Sequence, residues 1–140
     1  MKLANMEKFI RRQKVALLGS VDENGAPNIK AMLAPRQMIG LREFYFSTNL
    51  SALRTQQYLK NPKACIYFFR KGLISYTGVM LRGTMEVVTE QEVKNLLWQK
   101  GDVRFYKYGV TDPDYCVLKF TATGGRFYQD LKTEEFEIKY

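Results

Sequence analysis

The chain of 140 residues contains no histidine. That absence excludes His-dependent catalytic triads, imidazole metal sites and the usual axial ligand of haem. The two cysteines, Cys65 and Cys116, provide neither a disulfide framework nor metal-ligand spacing. Both stand in β-patterned runs, "ACIYFF" and "YCVLKF", and read as reduced core thiols. Four prolines are the only ones in the chain, and no linker, repeat or low-complexity segment is found. No apolar run reaches the roughly 18 residues needed to span a membrane, so the sequence predicts a soluble, cytoplasmic protein without a membrane partner. Chemistry in such a chain falls to a bound cofactor rather than to its own side chains.

What is present is ordinary globular composition, 46% hydrophobic and 26% charged, enough for one domain over residues 1–140 with a sizeable core. The net charge of +8 attracts anions: nucleic acid, acidic lipid or a phosphorylated small molecule. One basic cluster, "KFIRRQK", lies near the start, and the other cations are scattered among strands and loops. No nucleic-acid recognition motif accompanies them, so a solvated basic surface is the simpler reading and nucleic acid is not an expected partner.

The periodicity predicts an amphipathic helix over residues 3–12 with Met6, Phe9 and Ile10 on one face, then a buried strand in "KVALLGSV". Asn24-Gly25 predicts a two-residue hairpin turn with positive φ at both positions. The returning strand, residues 28–33, places Ile29, Ala31 and Leu33 on one side and Lys30 and Met32 on the other. A connection containing Pro35 and Gly40 leads to a third strand, "REFYFST". In "TNLSALRTQQYLKNP", Asn49 or Ser51 can cap a helix that runs to Lys60 and stops at Asn61-Pro62, with Arg54 on its first turn.

"ACIYFF" and "ISYTGVMLRGTMEVV" supply two further strands, and Gly78 and Gly83 suggest a bulge or bend. Thr89 and Glu92 form a capping-box pattern ahead of a helix presenting Val93, Leu96 and Leu97 to the core. "RFYKYGVTDPDY" reads as a short helical turn and a loop. "CVLKFTAT" and "GRFYQDL" then read as an antiparallel pair closing around Gly124-Gly125. The expected fold is mainly β: six or seven antiparallel strands with two or three helices, in a closed or partly closed barrel rather than a sandwich.

The order of hairpin, third strand, "TNLSALRTQQYLKNP" and apolar strand resembles the pyridoxamine 5'-phosphate oxidase-like FMN-binding split barrels, which implies a six- to seven-stranded antiparallel split barrel of Greek-key type. Residues 46–69 are similar to the flavin-phosphate region of that family: an aromatic strand ending in threonine, a Ser turn, a basic residue, and Asn-Pro before the next strand. "YGVTDPDYCVLKF" with "GRFYQD" is similar to its small general-stress-protein branch. The resemblance implies that Lys30 and Arg54 bracket the FMN phosphate, while Ala31, Met32, Leu33, Ser47 and Thr48 line ribityl and ring. A helix N-terminus and an arginine fork suit a phosphate on physical grounds as well.

Departures from the family pattern are visible. Leu53 replaces the second basic residue at the helix start, which removes one phosphate contact. At Thr77-Gly78, where the family contributes a polar side chain to the neighbouring subunit's flavin, Gly78 offers only backbone, and Tyr76 or Thr77 is the available substitute. Tyr128 stands where related chains carry tryptophan, and Phe127-Tyr128 could form an aromatic wall. The Arg-x-His type of C-terminal segment that grips pyridoxal phosphate is missing, so oxidation of pyridoxamine phosphate is not expected.

The resemblance thus implies an FMN-dependent oxidoreductase, a homodimer with flavin at its interface, acting on a small redox substrate. No catalytic side chain and no metal site is expected, and Asp22, Glu23, Asp112 and Asp114 read as surface carboxylates. A deazaflavin reductase such as one using F420, and a non-catalytic polyanion-binding barrel, are the alternatives.

Overall fold

The computed structural model describes residues 2–139. Its strands form one antiparallel sheet of eight members that does not close on itself, the expected split-barrel class with one strand more than anticipated. Helix α1 (Leu3–Arg11) buries Met6, Phe9 and Ile10, the stripe set by its apolar spacing. Strands β1 (Val15–Val21) and β2 (Pro27–Leu33) form the predicted hairpin. Its turn is longer than two residues and only Gly25 has positive φ, at 78°. The reason is Asp22, whose carboxylate accepts the N–H groups of Asn24 and Ala26 at 2.9 Å and builds a wider turn than Asn-Gly would alone.

β2 is an edge strand, and its apolar side faces outward: Ile29 is 70% and Leu33 80% exposed. The opposite edge is β3 (Gln37–Ile39), which the sequence reading missed because three residues are too few to show a period. It pairs with β4 (Glu43–Asn49), where Phe44, Phe46 and Thr48 point into the core.

Helix α2 (Leu53–Lys60) starts from Ala52 with no side-chain cap, so neither Asn49 nor Ser51 caps it. Longer-range partners take both. Ser51 donates from its backbone N–H and its hydroxyl to Asp114, at 2.8 and 2.9 Å, while the Asn49 amide oxygen accepts from the Tyr106 hydroxyl at 2.7 Å. Strands β5 (Lys63–Lys71) and β6 (Tyr76–Val88) follow.

Helix α3 (Gln91–Leu97) takes Glu90 as its N-cap, again with no side-chain bond, so the Thr89–Glu92 capping box does not form. Leu97 is buried but Leu96 is exposed. Lys94 takes the inward place instead, donating to the Asp112 carbonyl at 3.0 Å. The box that does form is Gln99 with Asp102, at the start of a 3-10 turn, Lys100–Arg104. Asp112 is likewise no surface group: its buried carboxylate accepts the N–H groups of Tyr108 and Asp114 and is held below the usual aspartate range by them.

Strand β7 (Tyr115–Gln129) runs straight through Gly124-Gly125, which therefore do not turn the chain. A side chain at Gly125 would overlap the Met80 carbonyl, and one at Gly124 would crowd the Phe136 carbonyl, so these glycines permit close strand approach. The reversal comes at Asp130-Leu131, both with positive φ (52° and 64°), into β8 (Lys132–Glu137). The β6 bulge falls between Arg82 and Gly83, whereas Gly78 is in register. The sheet order β2-β1-β5-β6-β7-β4-β3 wraps a core of Phe44, Phe46, Ile66, Phe68, Leu81, Leu118 and Phe120. Both cysteines are free thiols; burial raises each pKa, that of Cys116 to about 12, so they stay protonated and inert.

Candidate functional site

One cleft gathers much of the residue set expected to hold a phosphorylated cofactor. β2 contributes Ala31, Met32 and Leu33, β4 contributes Phe46 and Ser47, α2 contributes Arg54, and the β2–β3 connection adds Ala34 and Arg36 around about 240 Å³. β2 and β4 are not neighbours in the hydrogen-bonded sheet. Their approach here is the mouth of the split barrel, and Arg54 of α2 reaches both strands.

Arg54 links these elements. Its guanidinium donates to Thr48 Oγ1 at 2.7 Å and to Met32 Sδ at 3.2 Å. Neither partner carries charge, and among the described residues no carboxylate lies within ion-pair reach of Arg54. The start of α2 has no side-chain cap and no acidic residue in its first turn, but the Asp114 carboxylate accepts the Ser51 N–H just ahead of it. The guanidinium without a counter-charge beside the cleft favours an anion.

Lys30 stands on the Met32 side of β2, two residues from it, and its exposed side chain is outside the cleft lining. Thr48 is buried and reaches the cleft only through its bond to Arg54. Ser47 shares a 3.0 Å hydrogen bond with the Tyr115 hydroxyl, which packs against Trp98 and Tyr106.

Arg36, absent from the sequence-based expectation, forms the cleft's second cationic wall. Its fork grips the buried Asp102 with both nitrogens, one at 2.7 Å, and also reaches the Leu97 carbonyl at 3.0 Å. The hydrogen bond from Arg36 holds the Asp102 carboxyl below its ordinary range. This guanidinium is thus committed to the protein and shapes the cleft rather than offering free donors. Its sequence signal, a lone Arg after Pro35, is indistinguishable from a solvated loop charge.

The remaining expected residues lie elsewhere. Gly78 pairs with Tyr128 across β6 and β7, and neither lines the Arg54 cleft. They belong to an outward aromatic row: Tyr67 stacks on Phe69, Phe69 on Tyr76, and Tyr76 meets Tyr128 edge-on at 5.8 Å. A side chain at Gly78 would overlap the Tyr67 ring, so this glycine makes room for the row. Tyr76 hydrogen-bonds Tyr67 at 3.1 Å. Phe127 is buried in the core, which leaves Tyr128 alone of that pair on the row. Thr77 turns to the opposite side of the sheet, its hydroxyl accepting from Gln129 at 3.3 Å.

An open antiparallel barrel with an anion-ready cleft at its split defines the class. The family model described as "Pyridoxamine 5'-phosphate oxidase" matches residues 3–129, and the chain belongs to that family. A pyridoxine/pyridoxamine 5'-phosphate oxidase of Agrobacterium fabrum is 37% identical over 75 residues, 54% of this chain and 34% of the relative. The match thus spans about a third of the curated relative's length. A Clostridium acetobutylicum protein related to general stress protein 26 of the pyridoxinephosphate oxidase family is 37% identical. That likeness covers 97% of this chain and 94% of the other, with a TM-score of 0.82. A heme binding protein from Mycobacterium smegmatis shares the fold at 16% identity and a TM-score of 0.75, over 98% of this chain and 58% of that one.

Proposed function

We propose that this chain is a cytoplasmic homodimeric oxidoreductase that binds FMN and acts on a small redox substrate other than pyridoxamine phosphate. The observation that carries this is Arg54: a cation held by a hydroxyl and a thioether, with no counter-charge among the described residues, in a cleft lined by five of the expected residues. The donor set fits a phosphate ester. Arg54 and the first-turn amides of α2 would hold the phosphate, and Lys30, close by on β2, would swing toward it. Ala31, Met32, Leu33 and Ser47 would face the ribityl chain.

The bound flavin would supply two-electron redox chemistry at its ring. One chain's cleft, at 240 Å³, is below the roughly 300 Å³ at which small-ligand pockets begin, so the ring needs further walls. The outward row with Gly78 and Tyr128 is suited to be that wall from a second copy, because it presents aromatic faces that no part of its own chain's cleft uses. In such a dimer Thr77, facing the other side of the sheet, would contribute backbone only.

Titration with FMN tests the reading. The expected result is a perturbed absorbance spectrum with quenched fluorescence, and Arg54→Ala weakening binding roughly ten- to a hundredfold, the value of about 1.5–3 kcal/mol for a charge-assisted contact. Free-flavin spectra at micromolar protein would overturn it. Parallel titrations with a deazaflavin and with haemin identify a different ligand.

A further inference from the structure

No residue of the basic run near the N-terminus lines the site above. Arg11 pairs with Glu7 at 2.9 Å. Lys8 and Arg12 turn instead to a second cleft, of about 260 Å³, lined by Asn5, Lys8, Phe9 and Arg12 of α1 and by Arg70, Thr77 and Gln129. The last three form one rung across the sheet, since Arg70 pairs with Thr77 and Thr77 with Gln129. The helix thus forms one wall and a single row of β5, β6 and β7 the other. None of these residues lines the Arg54 cleft.

The chemistry of this lining is one-sided. It holds three cations, two amides and a hydroxyl, with no carboxylate. Among the described residues, Lys8, Arg12 and Arg70 have no acidic partner within ion-pair reach. Arg70 is positioned by packing, its guanidinium 5.8 Å from the centroid of the Phe9 ring. Thr77 is 2% exposed, and because its oxygen accepts from Gln129, its own proton remains to be donated into the cleft. Like charges drawn to one hollow without a counter-charge repel one another, and a bound anion removes that cost.

We propose that this cleft is a second anion site, which takes a small molecule carrying one or two phosphoryl groups. Three cations match a di- or trianion, whereas a monocarboxylate would leave two positive charges uncompensated. Two guanidinium groups suit the oxygens of a phosphoryl group, and the volume admits a fragment-sized ligand rather than a dinucleotide. The site shares no lining residue with the Arg54 cleft and does not depend on the flavin reading.

Inorganic pyrophosphate is the probe, titrated by calorimetry into the full chain. The expected result is saturable binding at the α1 cleft, weakened at least tenfold in the Arg12→Gln/Arg70→Gln double variant and unchanged in Arg54→Ala. Both altered side chains are exposed, so the double variant keeps its thermal melting point, and Thr77→Val gives a smaller loss through the buried donor alone. Absence of saturable binding overturns the proposal, as does a loss confined to Arg54→Ala. Equal binding of acetate overturns the phosphoryl assignment. A single-stranded oligonucleotide that binds through Arg12 and Arg70 when pyrophosphate does not would replace it with a polyanion surface. FMN titration of the double variant should be unaffected, so failure here and failure of the flavin reading are separable.

Discussion

Arg36 and Arg54 face one cleft and differ in what holds them. Arg54 has neutral partners and keeps its charge for a ligand, whereas Arg36 spends its fork on Asp102, which is itself tied to the backbone N–H of Gln99. Asp102→Asn should therefore leave the phosphate contact in place but destabilise the fold by about 2–3 kcal/mol, because a half-buried guanidinium loses its counter-charge. The sign with pH follows from the lowered Asp102 pKa. Its contribution is complete above the ordinary value of 3.8 and is lost as pH falls below it through the folded value. Urea unfolding of the parent chain should thus lose stability more steeply than that of the asparagine variant as pH falls below 3.8. A parallel fall in the two would show that the pair contributes nothing. Neither arginine could be sorted from its neighbours in sequence, since the difference resides in partners 66 and 6 residues away.

Elements were legible where their signal was periodic. The stripe of α1, the first hairpin and the stop at Asn61-Pro62 all follow from local chemistry. The glycines were legible only in part: Gly25 holds the positive φ of the turn and Gly83 sits at the bulge, but at Gly78, Gly124 and Gly125 a turn or bend and a close approach leave the same letter. Gly83 and Gly125 face backbone carbonyls, while Gly78 faces a tyrosine ring. Gly125→Ala should consequently cost more than Gly78→Ala, for which the ring can shift within the overpacking range of about 1–3 kcal/mol; thermal melts of the two variants decide this. At the β7–β8 turn Leu131 holds φ at 64° with its side chain exposed. Leu131→Gly should raise stability by about 1 kcal/mol, by removing the left-handed strain without losing packing, and an unchanged or lowered melting point would count against that strain.

For the whole molecule, the exposed apolar surfaces include the outer side of β2, with Ile29 and Leu33, and the aromatic row at Phe69. The proposed dimer accounts for both. Ile29→Glu and Phe69→Glu should each shift the chain toward monomer in light scattering and weaken FMN binding together with assembly. A variant that stays dimeric and binds flavin normally would remove that surface from the interface. Among the described residues no helix is long and apolar enough to cross a membrane, and no cluster of metal-ligating side chains is present.

By itself the sequence determined the mainly β class and the reduced thiols, because these rest on composition and period. Only the tertiary structure decided which of the expected residues meet. It brought Met32 and Thr48 to Arg54, placed Lys30 outside the cleft lining, sent Gly78 and Tyr128 to another surface, and gathered Lys8, Arg12 and Arg70 into a second hollow. Such groupings depend on strand order and on which side of the sheet a residue occupies, and a one-dimensional pattern does not carry strand order.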